Sequence, residues 1–177
     1  MKSVLISIQP KYVELIAKGE KTIEVRKSRP KLETPFKCYI YCTKGKDLLR
    51  EVSCCNTREG IYKTNYKIIN LDYCTNKIAN GKVIGEFVCD MITDISVVVR
   101  NCNEDYNLVY HNDECKGSCL TWKELQEYGK GKPLYGWHIS DLKIYDKPKE
   151  LSEFYNLKRQ PIQRAFQSWG YCYEKEN

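Results

Sequence analysis

The chain has 177 residues, 42% of them hydrophobic and 29% charged, with a formal net charge of +6. That length buries a core without disulfide or metal staples, and the composition excludes a disordered or fibrous chain. No run approaches the roughly 18 apolar residues of a membrane span, and a pI of about 8.7 permits an anionic partner such as nucleic acid without demanding one.

In chain order, "SVLISI" (3–8) reads as a strand, and Pro10 suits the first turn of a helix because its missing N–H costs nothing there. Tyr12, Leu15 and Ile16 continue at helical spacing, with Gly19 placed to end a helix over 10–18. Residues 21–27 alternate polar and apolar as a half-buried strand does, although Lys21, Glu24 and Arg26 travel with it. "FKCYIYCT" (36–43) is a third strand. Residues 44–80 have no sustained period: "DLLREV" offers a helix start, and the rest reads as an insertion or variable connection. Residues 81–99 form a long strand with a break near Thr93, and the polar stretch after it is loop-like. Thr121 and Glu124 make a capping box for a helix over 121–129. Residues 135–147 alternate again, "ELSEFY" is a helical turn, and "SWGYCYE" (168–174) is the last strand. Strand–helix–strand occurs once and no βαβ succession follows. The fold expected is therefore α+β: a small mixed or antiparallel β-barrel flanked by two or three short helices, with 3–8, 21–27, 36–43, 82–92 and 135–145 in one curved sheet.

The N-terminal stretch is interrupted by Gln9, Pro10 and Lys11 and lacks the apolar core and cleavage site of a signal peptide, so the expected compartment is the cytoplasm. There the ten cysteines stay reduced. Cys38, Cys42 and Cys89 lie in strand-like runs and serve as small buried hydrophobes. Cys102, His111, Cys115 and Cys119 fall in one region, but not at the spacing of a paired CxxC knuckle, so no metal is expected. There is no GxSxG elbow, Walker loop or dinucleotide fingerprint, and nothing calls for a cofactor.

"SIQPKYVELIAKGEKTIEVRK", with Gly19, Lys21, Glu24 and Arg26, resembles the GxKxxExR signature of ASCH domains in the PUA-like superfamily. "FKCYIYCTKG", "GKVIGEFVCD", "YGWHISDLKIYDKPKELSEFY" and "QSWGYCYE" resemble later blocks of the same pattern, in order. The resemblance implies one domain over 1–177, with lineage-specific insertions near 44–80 and 100–120, and a cleft beside the barrel lined by the signature. Family members are thought to bind RNA. One bacterial branch hydrolyses N4-acetylcytidine with a Lys, a Thr and a Glu. Its Lys matches Lys21, but Glu24 stands where that branch has Thr, and a carboxylate cannot form the same ester intermediate.

On an ideal strand Thr22, Glu24 and Arg26 share one face, Ile23 and Val25 the other, and Lys21 points away from Glu24 unless a turn intervenes. Read as a binding site, Glu24 accepts from a base amino group or ribose hydroxyl, while Lys21 and Arg26 meet phosphate or carbonyl oxygens. Lys27 and Arg29 extend a basic rim, and Tyr41 and Thr43 face the cleft from the neighbouring strand. Three functions stay open: an RNA- or nucleotide-binding protein, an amidohydrolase of an acylated nucleoside in which Lys21 assists and Glu24 or Glu86 activates water, and a protein-interaction adaptor. Glu86 interrupts an apolar strand and needs a partner. Trp137 and Trp169 read as core, and His138 as one end of a structural hydrogen bond.

Overall fold

The computed structural model describes residues 1–47, 49–56, 61–68, 79–100, 106–110 and 113–174. It divides into two compact units, one built from Met1–Gly19, Lys37–Phe87 and Asp141–Asn177, the other from Glu20–Phe36 and Val88–Ser140. In chain order the elements are β1 (Ser3–Ile8), α1 (Pro10–Ala17), β2 (Ile23–Arg26), β3 (Phe36–Cys42), β4 (Leu49–Asn56), β5 (Ile61–Ile68), β6 (Val83–Cys89), β7 (Ile92–Asp94), β8 (Ser96–Arg100), β9 (Tyr106–Tyr110), α2 (Trp122–Gly129), β10 (Tyr135–His138), β11 (Ser140–Lys149), β12 (Phe154–Tyr155) and β13 (Trp169–Glu174). Short 3-10 turns occupy Asp113–Ser118 and Leu151–Glu153. The fold is α+β, with a curled half-barrel sheet as its main layer.

That sheet belongs to the first unit and has the order β11-β6-β3-β1-β13-β12. It is mixed: β1 runs parallel to β3 and antiparallel to β13. All six residues of β1 are buried. A fully buried central strand tends to be apolar on both faces, as "SVLISI" is at Val4, Leu5, Ile6 and Ile8, while the buried Ser7 hydroxyl donates to the Phe166 carbonyl. Helix α1 lays Pro10, Val13 and Ile16 inward, and Gly19, at φ +75°, donates its N–H to the Ile16 carbonyl and ends it. One face of the sheet packs Leu5, Tyr39, Tyr41, Val83, Tyr145, Phe154 and Ile162 together.

The second unit centres on a three-stranded antiparallel sheet, β2-β10-β7, over a small core of Val25, Ile95, Cys115, Leu125 and Leu134. Helix α2 has the expected capping box, with Thr121 Oγ1 accepting from the Glu124 N–H and the Glu124 carboxylate accepting from the Thr121 N–H. Gly129 is its last residue; the left-handed cap is Lys130, at φ 51°.

Several expectations need correction. Strand β2 covers Ile23–Arg26, not 21–27, and with β10 it lies in a different sheet from β1, β3 and β6. "DLLREV" starts no helix: β4 and β5 pair antiparallel within the stretch read as an insertion or variable connection. The long strand over 81–99 breaks after Cys89 and at Ile95, while Thr93 lies inside β7. Asp94 Oδ1 accepts from the Ser96 N–H and hydroxyl and turns the chain there. The polar stretch over 100–120 contains β9 and a 3-10 turn. The run over 135–147 is interrupted at Ile139, whose N–H leaves the strand to donate to the Thr22 carbonyl.

Gly85 in β6 shows how closely the first sheet is packed. A Cβ there would lie 2.5 Å from the Lys143 carbonyl oxygen and 3.2 Å from the Ile144 Cα, both backbone atoms. Gly85→Ala is expected to destabilise the fold by about 1–3 kcal/mol. A Cβ on Gly45 would meet only Pro10 at 3.6 Å, so Gly45→Ala should be near neutral. Thermal melting of both variants checks this, at about 2–4 °C per kcal/mol for a chain of this size.

Candidate functional site

The charged signature residues are buried. Lys21, Glu24 and Arg26 are 2%, 6% and 8% exposed, values ordinary for apolar side chains and rare for ions unless paired. Lys21 precedes β2, so strand alternation does not dictate its direction. Its Nζ donates to the Ile23 carbonyl (2.8 Å) and the Ser118 carbonyl (2.5 Å) and lies 3.4 Å from Glu24 Oε2. Arg26 Nη2 meets the other carboxylate oxygen, Oε1, at 2.8 Å. One carboxylate thus holds two cations, and Lys21 reaches it from the segment that follows the turn at Gly19, ahead of the strand.

The backbone around this cluster is held from both sides. The Thr22 N–H donates to the Gly117 carbonyl at 2.8 Å, and the Thr22 carbonyl accepts from the Ile139 N–H at 2.9 Å. Gly117 has to be glycine, because a Cβ there would fall 2.1 Å from Thr22 Oγ1. This close approach delivers the next carbonyl, that of Ser118, to Lys21. Sequence reasoning missed Gly117 and Ser118 because they lie in a stretch with no regular period; a glycine–serine pair is too common a signal to single out.

Register explains why both faces of β2 are covered. Residues directly opposite in an antiparallel pair share a face. Trp137 stands opposite Glu24, Tyr135 opposite Arg26, and Gly136 opposite Val25. On the polar face of β2, Trp137 therefore stands beside Glu24, fully buried and edge-on to Phe36 at 6.0 Å, while Val25 enters the unit's core. Tyr128 of α2 lies beside Arg26, and burial pushes its phenol above the ordinary value against the opposing charge of Arg26.

The remaining candidates fall into separate places. Thr22 is exposed and packs its hydroxyl against Gly117. Lys27 and Arg29 are exposed, with Lys27 Nζ 4.8 Å from the Tyr128 ring centroid and Arg29 Cζ 5.7 Å from that of Tyr135. Tyr41 and Thr43 belong to the first unit and line a cavity of about 570 Å³. Glu86, also in that unit, has the partners its position demands: Lys37 Nζ at 3.1 Å and the Tyr145 hydroxyl at 2.5 Å. Burial opposes its ionisation, but the hydrogen bonds from Tyr145 and Lys37 outweigh burial and hold the carboxyl below its usual value. His138 Nδ1 lies 2.7 Å from Asp90 Oδ1, and that hydrogen bond keeps Asp90 acidic. Trp169 is half-buried and meets Tyr171 edge-on.

Among the described residues no group of three or more His, Cys, Asp or Glu is placed to hold a metal ion, and no helix is long and apolar enough to cross a membrane. Cys102 and His111 lie outside the described residues. Cys115 is buried, and the exposed Cys119 donates its thiol to the Glu20 carbonyl. Burial pushes the thiols of Cys42, Cys89 and Cys172 up to about 12, far from thiolate reactivity.

A family model for the ASCH domain matches residues 6–162. The chain belongs to the ASCH domain family. The crystal structure of ASCH from Zymomonas mobilis is similar to it with a TM-score of 0.52 and 16% identity, covering 96% of this chain and 86% of that one. A tyrosine-to-phenylalanine variant of the Zymomonas protein gives a TM-score of 0.55 at 15% identity over 99% and 93%, and a serine-to-alanine variant 0.54 at 15% over 98% and 89%. At such identities the likeness establishes the fold and carries no ligand with it. A comparison with curated proteins finds no match. The family signature of this ASCH domain is thus a buried ion cluster that ties β2 to the Asp113–Ser118 turn.

Two outcomes follow from this geometry. Lys21→Ala leaves one Glu24 oxygen and the Ile23 and Ser118 carbonyls without their cation in the interior, while Arg26 keeps the other oxygen, and is expected to cost about 3–5 kcal/mol, as removing one member of a buried ion cluster does. Thr22→Ala, on the exposed neighbour, should change stability by less than about 0.5 kcal/mol. Urea midpoints check both. For Glu86 the sign is set by a folded-state pKa below the ordinary 4.5. Its contribution is complete above that value and is lost as pH falls through the depressed one. Glu86→Gln should therefore flatten the fall of the urea midpoint below pH 4.5.

Proposed function

We propose that this ASCH domain protein binds RNA or a nucleotide-like ligand along the surface formed by the end of β2, the segment after it and the tyrosines of α2 and β10. The observation that carries the reading is the pairing of exposed cations with aromatic rings: Lys27 over Tyr128 and Arg29 over Tyr135. Among the described residues neither cation has a carboxylate partner, so both charges remain available to phosphate. Half-buried tyrosine rings beside unpaired cations are the ingredients of single-strand recognition, in which bases stack and basic side chains follow the backbone. The net charge of +6 favours the same partner.

In this reading Lys21, Glu24 and Arg26 position the surface and do not contact the ligand. Lys21 donates to the Ile23 and Ser118 carbonyls and forms an ion pair with Glu24, and Arg26 lies between Glu24 and Tyr128. A carboxylate engaged by two cations at the position where the amidohydrolase branch has threonine favours binding over acyl transfer.

Fluorescence anisotropy with a labelled single-stranded RNA over a salt series tests this. Lys27→Ala and Arg29→Ala should each lower the slope of log K against log salt by about 0.7, the value for one lost phosphate contact on a single strand. Tyr135→Ala should weaken binding by about 1–3 kcal/mol through lost stacking. Slopes and affinities unchanged in all three variants would remove the surface from consideration.

A further inference from the structure

The first unit carries the cavity of about 570 Å³, which shares no residue with the Lys27–Arg29 surface and lies within the size range of small-molecule sites. Tyr41 at the end of β3 is buried, yet among the described residues its hydroxyl makes no hydrogen bond, and it is not sealed from solvent. It lines the cavity as a donor without an acceptor among the described residues. Thr43, two residues on, presents a second hydroxyl at the half-exposed edge.

Part of the lining is apolar. Ile162 is buried and ties its N–H to the Phe154 carbonyl at 2.8 Å. The Phe166 carbonyl accepts from Ser7 Oγ at 2.6 Å, and its ring lies so close over Gly170 that a Cβ there would sit 2.5 Å from it. Lys44 and Arg164 are exposed on the cavity lining, and among the described residues no carboxylate pairs with either. The one acid on the lining, Glu150, is answered by Lys82 at 2.7 Å. The lining therefore offers the apolar side chains of Ile162 and Phe166, hydroxyl donors and two cations without a carboxylate partner among the described residues.

The geometry points to a second binding site, for a ring-bearing organic phosphate of nucleoside-monophosphate size. Its ring rests on Ile162 and Phe166, its hydroxyls meet Tyr41 and Thr43, and its phosphate is held by Lys44 and Arg164. Burial keeps Tyr41 protonated and hence a donor across the neutral range. This site stands on the cavity alone and does not depend on the RNA-binding surface of the other unit. The phosphate has two sources, a free nucleotide or the 5′ end of an RNA.

Calorimetric titration of the full chain with AMP, adenosine and inorganic phosphate tests the site. AMP should bind about tenfold more tightly than adenosine, the lower end of what a charge-assisted contact contributes. Lys44→Ala with Arg164→Ala, both at exposed positions, should erase that difference. Tyr41→Phe should weaken AMP and adenosine alike by about threefold. The Lys27→Ala and Arg29→Ala proteins should bind AMP as the wild type does, which separates this site from the RNA surface. Competition against AMP then assigns the source: a short RNA with a 5′ phosphate displaces AMP, and its unphosphorylated twin does not, if the site reads RNA ends. If neither displaces it, the free nucleotide is the ligand. No heat with AMP at millimolar concentration, or equal affinity for AMP and adenosine, would overturn the proposal.

Discussion

An ammonium group taken out of water must have its donors met, and the burial of Lys21 imposes that requirement on everything around it. Desolvating an ion costs several kcal/mol even after relaxation. Lys21 Nζ offsets this with the carbonyls of Ile23 and Ser118 and the carboxylate of Glu24. Each partner brings a further condition. The Ser118 carbonyl arrives only if the 3-10 turn approaches Thr22, which requires the missing side chain of Gly117. Glu24, once inside, needs Arg26 on its other oxygen, and Arg26 in turn engages Tyr128. The polar half of the second unit is thus a chain of obligations starting from one nitrogen. Loss of a single member is severe for the same reason: the remaining ions stay buried.

The first unit handles charge differently. Its ionic groups sit at half-exposed positions on the sheet, with Glu86 between Lys37 and Tyr145, and Glu174 between Lys149 and Tyr39. Solvent screens such groups, and they adjust acidity more than they organise the backbone. Organisation here comes from the apolar strand β1 and from close backbone contacts such as Gly85 against Lys143. Charge is a scaffold in one unit and a trim in the other. That contrast separates two kinds of surface. The Lys27–Arg29 strip follows directly on the buried ion cluster of β2, whereas the cavity around Tyr41 is lined by apolar, hydroxyl and charged side chains together.

Much of this was legible in the sequence, and what was not has a common cause. The apolar run of residues 3–8, the helical spacing after Pro10, the capping box at Thr121 and the GxKxxExR signature are local, and each led to the element or family found. Alternation also placed Glu24 and Arg26 on one face of β2 and Val25 on the other. It could not say that both faces are buried, because that depends on long-range pairing such as that with β10, more than a hundred residues later, which sets Trp137 beside Glu24. Nor could it reveal the hairpin of β4 and β5, the division of the strands between two sheets, or the placement of Tyr41 and Thr43 in a different unit from Lys21. By itself the sequence determined which residues are apolar, where helices are capped and which family's pattern the chain carries. Tertiary structure alone decided which carbonyls Lys21 meets and which rings lie beneath Lys27 and Arg29. The periodicity of a strand specifies its sidedness, while its partners are chosen by long-range pairing that no local pattern encodes.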